Sequence, residues 1–247
     1  MIVTGNISEV EEMKAIRSFF VFFILILALY PKTAVRASDL TDMQTVTEIT
    51  LRMLNGLPTS LEEQLGVSAP CLFDKVSGGT GCIIIGDSRI TAMNAACRVN
   101  ATPDNWFAIA CAGTHMNYLS EVAIPAAELL EAAHPEITHW KYIINMGLTD
   151  LDKAKSYSDY LSALSVNKDV YFVSVNPTSK TVITGNFGLT NKRIAAFNSV
   201  ISSIPSVKYI DTYAYLMQTG YNTVEDGFHY DPDTTRRIYQ AIRLLVG

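Results

Sequence analysis

A serine at the end of an apolar run is the first residue in this sequence that could act as a nucleophile. Ser88 lies in the sequence CIIIGDSR, residues 82–89. A continuous run of β-branched residues is typical of a buried parallel strand, and open α/β sheets bind ligands beyond the carboxyl ends of their strands. Ser88 is therefore predicted at such an edge. Because a serine hydroxyl is a weak nucleophile at neutral pH, it needs a base and a group that orients the base.

The loop EDGFHY, residues 225–230, offers the best candidate for the base. Asp226 precedes His229 by three residues, and in a tight turn this spacing lets the carboxylate reach the imidazole and hold its tautomer. The chain order Ser, Asp, His also matches α/β esterase folds. The alternative reading of the pair is a solvated loop contact. The other three histidines lie at a helix end, before a strand or without an acid nearby: His134, His139 and His115.

Strand-like and helical segments alternate from residue 82 onward and would position these side chains. Apolar strand-like runs occupy residues 82–86, 106–111, 140–146, 170–175 and 207–210. Helical patterns occupy residues 89–98, 121–133, 151–164, 190–204 and 233–246. This alternation predicts an α/β fold with about five parallel strands covered by helices on both faces. The crossovers then bring the carboxyl ends of all strands to one edge.

Tyrosines at even spacing accompany and follow the last predicted strand. Tyr209, Tyr213 and Tyr215 are predicted on one face of that strand and its extension, because a period of two is typical of a half-buried strand. A binding role for these aromatic side chains is the alternative.

Three short motifs fall at the predicted edge: GDS at 86–88, AGT at 112–114 and GLTD at 147–150. Together with the Asp-x-x-His loop, they make the sequence from about Gly81 to the C-terminus resemble the SGNH, or GDSL-type, hydrolase family. The resemblance implies a three-layer, flavodoxin-like α/β/α fold and hydrolysis of an ester, with no metal or organic cofactor. It also implies that Ser88 is the nucleophile, His229 the base and Asp226 the residue that orients the base.

The resemblance further implies an oxyanion site, made by the backbone N–H groups of Ser88 and Gly113 and by a side chain at position 149. The family has asparagine there, whereas this chain has Thr149. Threonine offers one short hydroxyl in place of a planar amide, and loss of one oxyanion donor typically lowers kcat by about 10²–10³-fold. Three readings stay open: Thr149 donates directly or through water, Asn145 or Asn117 fills the gap, or the enzyme is slow or specialised.

Three charged residues flank these motifs. Asp87 is predicted to cap the turn before the first helix, and Asp150 is predicted to hold its loop by accepting hydrogen bonds from backbone N–H groups. Arg89 has two readings, a contact with an anionic group of the substrate or a surface position on the helix near the mouth of the site.

Residues 1–37 have the pattern of a secretory signal peptide. Lys14 and Arg17 precede an apolar run at 19–30, and a small-residue cleavage site lies at 35–37. The run is shorter than the roughly 20 residues that span a bilayer, so cleavage is favoured over a permanent anchor. The polar and acidic residues before Met13 predict that translation starts at Met13. The protein is therefore expected to be secreted or at the cell surface, with no stable membrane span after cleavage, and membrane-anchored if the signal is uncleaved.

Residues 38–79 are predicted to form a helical N-terminal extension and linker. Apolar residues recur at steps of mostly three and four between residues 40 and 57, which fits an amphipathic helix. The sequence SGGTG at 77–81 indicates a joint. The SGNH-type hydrolase domain is predicted at 80–247.

The four cysteines, Cys71, Cys82, Cys97 and Cys111, would meet an oxidising compartment on export. They allow three pairings, of which the local one, Cys71 with Cys82 and Cys97 with Cys111, is preferred. Buried thiols are the alternative. A zinc site is disfavoured, because the sequence has no C-x-x-C pair or close Cys/His cluster.

The charge balance disfavours nucleic acid as a partner. Of the 247 residues, 24 are acidic and 19 are basic, for a net charge of −5, and no basic block with interleaved aromatic residues is present. The predicted export and the absence of a long apolar segment that could form a lid favour a small ester or an acylated extracellular glycan as substrate. The alternatives are a lipid or lysophospholipid esterase, an acyltransferase with the same triad, or a non-catalytic glycan-binding protein on the same scaffold.

Overall fold

The computed structural model describes residues 67–68, 78–102, 104–179 and 188–247. The predicted signal segment, the start at Met13, the helix at 40–57 and Cys71 lie outside these residues. The domain boundary at residue 80 and the export of the protein therefore stay predictions.

The described strands form one sheet: β1 (Val67–Ser68), β2 (Gly79–Gly86), β3 (Trp106–Cys111), β4 (Ile137–Asn145), β5 (Asp169–Val173) and β6 (Lys208–Ile210). Their order across the sheet is β1-β3-β2-β4-β5-β6. The strands from β2 to β6 are parallel, which confirms the predicted parallel sheet of five strands. β1 pairs with β3 in the antiparallel direction, so a short part of the predicted helical extension adds an edge strand.

The helices that cover the sheet are α1 (Ser88–Cys97), α2 (Ile124–Ala133), α3 (Ala154–Leu164), α4 (Asn191–Ser202), α5 (Thr212–Thr219) and α6 (Pro232–Val246). A helical turn (Met116–Tyr118) and a π-helical segment (Leu119–Ala123) lead into α2. Within the described ranges, no helix is both long and apolar enough to cross a membrane.

The side chains of β2 alternate between two apolar cores, one on each face of the sheet. Ile83 and Ile85 pack on the face covered by α2, α3 and α4, whereas Cys82 and Ile84 pack on the face covered by α1, α5 and α6. The three isoleucines are fully buried, and such burial contributes roughly 1.5–3 kcal/mol per side chain. The strand is apolar on both faces because helices cover both, and this three-layer α/β/α architecture is the predicted fold.

The segment after β6 differs from its prediction. Tyr213 and Tyr215 lie on α5 and not on an extension of the strand. Asp211 caps the start of this helix, because its Oδ1 accepts a hydrogen bond from the backbone N–H of Ala214 at 2.9 Å. Leu216 is then buried against the sheet. A capping side chain followed by one buried apolar residue outweighs the period-two spacing of the tyrosines.

Gly86 allows α1 to pack closely against the end of β2. A Cβ atom at this position would lie 2.2 Å from Ile90 Cγ1 and 2.7 Å from the backbone oxygen of Asn145. Only glycine fits this approach without displacing the helix or β4. Gly86 therefore determines where the chain turns and where Ser88 begins the helix.

Cys82 and Cys97 are free thiols, so neither of the two preferred disulfides is formed. Burial raises the pKa of the Cys82 thiol to about 11. Cys97 packs on the same face of the sheet as Cys82, whereas Cys111 packs on the opposite face. The predicted pairing of Cys97 with Cys111 is wrong because the sheet separates their side chains, and the pairing of Cys82 with Cys71 is wrong because the Cys82 thiol is free.

Candidate active site

Ser88 is the first residue of α1, directly beyond the carboxyl end of β2. Asp87 caps this helix as predicted, since its Oδ1 accepts a hydrogen bond from the backbone N–H of Arg89 at 3.0 Å. Burial raises the pKa of the Asp87 carboxyl. The backbone N–H of Ser88 has no acceptor among the described residues. Because N–H groups at the start of a helix carry partial positive charge, this end of α1 favours an anion.

His229 lies in a tight turn between α5 and α6. Gly227 has a φ of +80°, and its N–H donates to the carbonyl of Val224 at 3.0 Å. Asp226 Oδ1 accepts hydrogen bonds from the backbone N–H groups of Phe228 and His229, both at 2.9 Å. The turn is thus closed by its own hydrogen bonds, and it holds the carboxylate beside the imidazole.

Two hydrogen bonds in series join the three residues predicted to form the triad. Asp226 Oδ2 lies 2.6 Å from His229 Nδ1, and His229 Nε2 lies 2.7 Å from Ser88 Oγ. An imidazole protonated on Nδ1 donates to Asp226 and accepts from the Ser88 hydroxyl. Burial alone would raise the pKa of Asp226, but hydrogen bonds from the His229 side chain and from two backbone N–H groups lower that pKa below its ordinary value. The carboxylate is therefore ionised at neutral pH.

Gly113 follows β3 on the neighbouring loop. In the register of the sheet Gly86 pairs with Ala110, so β2 and β3 end at nearly the same level. Gly113 is exposed and has a φ of +74°, a left-handed conformation that favours glycine. Its backbone N–H has no acceptor within the described part of the chain. Two unpaired N–H groups, those of Ser88 and Gly113, thus lie at the carboxyl ends of adjacent strands.

Thr149 lies in the 3₁₀ turn Leu148–Asp150 that follows β4, and it is exposed. Its hydroxyl donates to the backbone carbonyl of Thr114 at 3.2 Å. Asn145 is buried, and its Nδ2 donates to the carbonyls of Val173 and Ser174 at 3.1 Å each. The amide of Asn145 therefore joins β4 to the end of β5, while Thr149 joins its turn to the loop after β3.

Asp150 also connects the turn after β4 to the loop after β3. It is buried, with 2% exposure, and its Oδ2 accepts a hydrogen bond from the backbone N–H of Met116 at 2.6 Å. Its Oδ1 lies 3.2 Å from both His115 Nδ1 and Lys153 Nζ. The prediction that Asp150 bonds backbone N–H groups is confirmed, but the N–H belongs to the loop after β3 and not to its own turn. His115 is placed here as a partner of Asp150, away from the triad.

Arg89 differs from both of its predicted readings. It is buried and donates to backbone carbonyls on two other segments, at Asn176 and Phe228. It is therefore neither a surface residue nor free to contact an anionic substrate. The sequence signal that could have indicated this is weak, because an arginine in the first turn of a helix is usually solvated.

A small cavity lies behind His229, between α1, α6 and the ends of β4 and β5. Its polar lining includes Arg89, Asn145 and Asn176. No group of three His, Cys, Asp or Glu side chains in the described ranges could hold a metal ion. The groups that this site presents are a serine hydroxyl, an imidazole and backbone N–H groups.

Solved structures of other proteins align with this chain. The chain aligns with a protein from Slackia heliotrinireducens that is assigned to the SGNH hydrolases, with a TM-score of 0.52 and 13% identity, over 69% of this chain and 100% of that chain. A lipase/acylhydrolase from Enterococcus faecalis aligns with a TM-score of 0.48 and 11% identity, over 67% of this chain and 95% of that chain. An acetylxylan esterase from Geobacillus stearothermophilus aligns with a TM-score of 0.48 and 11% identity, over 70% of this chain and 96% of that chain.

The similarity lies in structure and not in sequence. No family model matches the sequence, and no curated protein matches it significantly. The sheet has five parallel strands with helices on both faces, and the alignment covers the full length of the Slackia protein. Both observations indicate the same fold. The chain therefore has the three-layer fold of the SGNH hydrolases.

Proposed function

We propose that this protein is an exported serine esterase that cleaves carboxylic esters through an acyl-enzyme. The observation that carries the proposal is the hydrogen-bonded series Asp226–His229–Ser88, with distances of 2.6 Å and 2.7 Å. A serine hydroxyl becomes an effective nucleophile when an oriented imidazole can take its proton. Because these three side chains are joined in the order that an activated serine nucleophile requires, we favour an enzyme over a non-catalytic glycan-binding protein on the same scaffold.

The proposed reaction has two acyl-transfer steps. In the first, Ser88 Oγ attacks the ester carbonyl while His229 Nε2 takes the hydroxyl proton. The imidazolium, stabilised by Asp226, then gives this proton to the leaving alcohol, and the acyl-enzyme forms. In the second step His229 takes a proton from a water molecule, the resulting hydroxide attacks the acyl-enzyme, and the acid is released as the proton returns to Ser88.

The charge that develops on the carbonyl oxygen needs hydrogen-bond donors. The unpaired N–H groups of Ser88 and Gly113 fit this role, since backbone donors held in place cost little reorganisation during the reaction. The Thr149 hydroxyl, the third donor predicted from the family resemblance, bonds the Thr114 carbonyl in this structure. We therefore assign most of the stabilisation to the two backbone donors, with Thr149 contributing only after its hydroxyl rotates.

The proposed substrate is a small acyl group, such as acetyl, on an extracellular glycan. The signal-like N-terminus supports an extracellular substrate, and Gly113 and Thr149 are exposed beside the site, which leaves it open to a polymer. The sequence after the signal has no long apolar segment that would form a lid over a lipid chain.

A fluorophosphonate probe tests the nucleophile. We expect the probe to label the wild-type protein, and Ser88→Ala to abolish labelling and to lower esterase activity by about 10⁴-fold or more. Ser162→Ala is a matched control, because this exposed serine bonds a carbonyl of its own helix. Retained turnover in the Ser88→Ala protein would remove Ser88 from its role.

A series of p-nitrophenyl esters of increasing chain length separates the candidate substrates. A preference for acetyl esters supports deacylation of a glycan, whereas a preference for long chains supports a lipid or lysophospholipid esterase. Transfer of the acyl group to an added sugar acceptor, in place of release as the free acid, would identify an acyltransferase.

N-terminal sequencing of the precursor and of the secreted protein tests export. We expect a precursor that starts at Met13 and a mature chain that starts near Ser38. A precursor peptide that contains Glu11 and Glu12 would contradict the start, and a mature chain that retains the apolar run at 19–30 would indicate a membrane anchor.

A further inference from the structure

Arg89 directly follows the nucleophile and is buried, with 6% exposure. Its Nε and Nη2 donate to the carbonyl of Phe228 at 3.0 and 2.7 Å. Its Nη1 donates to the carbonyl of Asn176 at 3.0 Å, and Nη2 also lies 3.5 Å from the carbonyl of Pro177. Burial of a guanidinium is costly unless hydrogen bonds replace its hydration, and here the replacing acceptors are backbone oxygens.

The three carbonyls belong to two segments that meet beside Ser88. Asn176 and Pro177 follow β5, and Phe228 immediately precedes His229. The ring of Tyr230 packs against the guanidinium, with 5.0 Å between Arg89 Cζ and the ring centroid, and the Tyr230 hydroxyl donates to the carbonyl of Pro177. Arg89 thus joins the start of α1 to the histidine turn and to the end of β5.

The link through Arg89 matters because Asp226 and His229 belong to one turn, and Ser88 does not. The hydrogen bonds inside the turn orient the imidazole but do not set its distance from Ser88, which lies on α1. Arg89 is one peptide bond away from Ser88 and hydrogen-bonds the carbonyl one residue before His229. A planar guanidinium is a rigid fork, so it constrains both the distance and the angle between the two segments.

We propose that Arg89 is a positioning residue that sets the distance between Ser88 Oγ and His229 Nε2. This inference rests on the proposed serine-esterase function. Arg89 does not touch the substrate, because its donors are directed at carbonyls inside the protein. A misplacement of catalytic groups by about 1 Å can lower a rate by about 10²-fold, and this is the scale of the effect that we assign to loss of the guanidinium.

Arg89→Met and Arg89→Lys test the proposal in the full-length protein. Methionine keeps an apolar stem against Tyr230 but donates no hydrogen bonds, and lysine keeps the charge without the fork. For hydrolysis of an acetyl ester, we expect Arg89→Met to lower kcat by about 10²-fold with KM changed less than about 2-fold. Arg89→Lys should recover part of the loss. The rate of inactivation by a fluorophosphonate, which does not depend on glycan binding, should fall in parallel with kcat.

Arg243→Met is the matched control. Arg243 is also packed against aromatic rings, with Cζ 5.2 Å from the ring centroid of Trp106 and 5.7 Å from that of Tyr239. Its Nη1 donates to Asp104 Oδ2 at 2.7 Å. Trp106 begins β3, so Arg243 lies at the opposite edge of the sheet from Ser88. We expect Arg243→Met to lower the melting temperature but to leave kcat within about 2-fold, because no link to Ser88 or His229 is removed.

The outcomes separate the two readings of Arg89. Equal losses of kcat in Arg89→Met and Arg243→Met, after correction for the folded fraction, would show that Arg89 only stabilises the fold. A rise in KM of Arg89→Met with kcat unchanged would instead show that Arg89 contacts the substrate. If Arg89→Met does not fold, Arg89→Lys carries the same comparison.

A crystal structure of the Arg89→Met protein tests the positioning without catalysis. We expect Ser88 Oγ and His229 Nε2 to move beyond about 3.5 Å, past hydrogen-bond range, while the Asp226–His229 hydrogen bond remains. An unchanged Ser88–His229 distance would overturn the inference. If instead wild type and Ser88→Ala show the same activity, the proposed function fails and the measured distance still decides the role of Arg89.

Discussion

The two sides of the candidate active site are built in different ways. On one side, Asp226 and His229 belong to a single turn, and every hydrogen bond that orients the imidazole towards the carboxylate comes from that turn. On the other side, the N–H of Gly113 and the hydroxyl of Thr149 come from loops after two different strands. Those loops are held together by Asp150 and by the Thr149–Thr114 hydrogen bond.

This difference determines how each side tolerates change in sequence. A pair within one turn, such as Asp226 and His229, needs two residue types at one spacing, so it can be recognised in the sequence as a motif. An oxyanion site assembled from two loops needs backbone positions, which many sequences can supply. Under the proposed function, threonine at position 149, where the family resemblance implies asparagine, is compatible with a working site for this reason, provided that the two backbone donors remain in place.

Asp226→Asn is the sharpest test of the local side, and we expect the largest effect from it. The amide cannot hold the Nδ1–H tautomer as a carboxylate does, so kcat should fall by about 10⁴-fold with little change in fold. Steady-state kinetics with an acetyl ester measures this. Asp231→Asn is the matched control: Asp231 caps α6 through the N–H of Thr234, asparagine caps helices equally well, and kcat should stay within about 2-fold. A loss below about 10-fold in Asp226→Asn would show that the turn acts only as structure.

Thr149→Val tests the assembled side, where we expect a smaller effect. Valine keeps the shape and removes the hydroxyl, so kcat should fall by less than about 10-fold, because the N–H groups of Ser88 and Gly113 remain. Loss of a working oxyanion donor would instead cost about 10²–10³-fold. Thr149→Ser retains the hydroxyl and should keep wild-type kcat. A loss of 10²-fold or more in Thr149→Val alone would place the hydroxyl among the main donors.

The pH dependence of stability gives the smallest expected effect. The pKa of Asp226 is lowered in the folded protein from its ordinary value of 3.8. The ionised carboxylate therefore stabilises the fold at pH values above 3.8, and this stabilisation is lost as the pH falls through the lower pKa of the folded state. The difference in free energy of unfolding between wild type and Asp226→Asn should therefore shrink as the pH falls from 3.8 through the lower pKa of the folded state. Urea denaturation over a series of acidic buffers measures it, and a difference independent of pH would contradict the lowered pKa.

Much of the fold was predictable because its signals are local. The apolar run at 82–86 is fully buried between two helical layers, so every residue in it is apolar, and the glycine that ends it is required by the close approach of Ile90. The helix at Thr212–Thr219 was missed because Asp211 caps it only three residues after the start of β6, and the tyrosine spacing resembled a strand. The edge strand Val67–Ser68 was missed because two residues carry no periodicity.

The predictions of the cysteine pairing and of the role of Arg89 were wrong for a different reason. Sequence separation favours a bond between Cys97 and Cys111. However, Cys97 ends a helix that covers one face of the sheet, whereas the side chain of Cys111, on β3, packs on the other face. Arg89 reads as a solvated helix residue, whereas its partners are carbonyls at Asn176 and Phe228, far along the chain. Backbone carbonyls carry no residue type, so a contact of this kind leaves no trace in the sequence.

The sequence by itself determined the parallel sheet and the edge at which its strands end, and it indicated Ser88, Asp226 and His229 as a candidate nucleophile, orienting acid and base. These follow from hydrophobic periodicity and from spacing within short segments. Tertiary structure alone decided the distance between Ser88 and His229, the engagement of the Thr149 hydroxyl and the burial of Arg89. Each of these depends on where separate loops meet, and that is set by the packing of helices on the sheet and not by any local pattern.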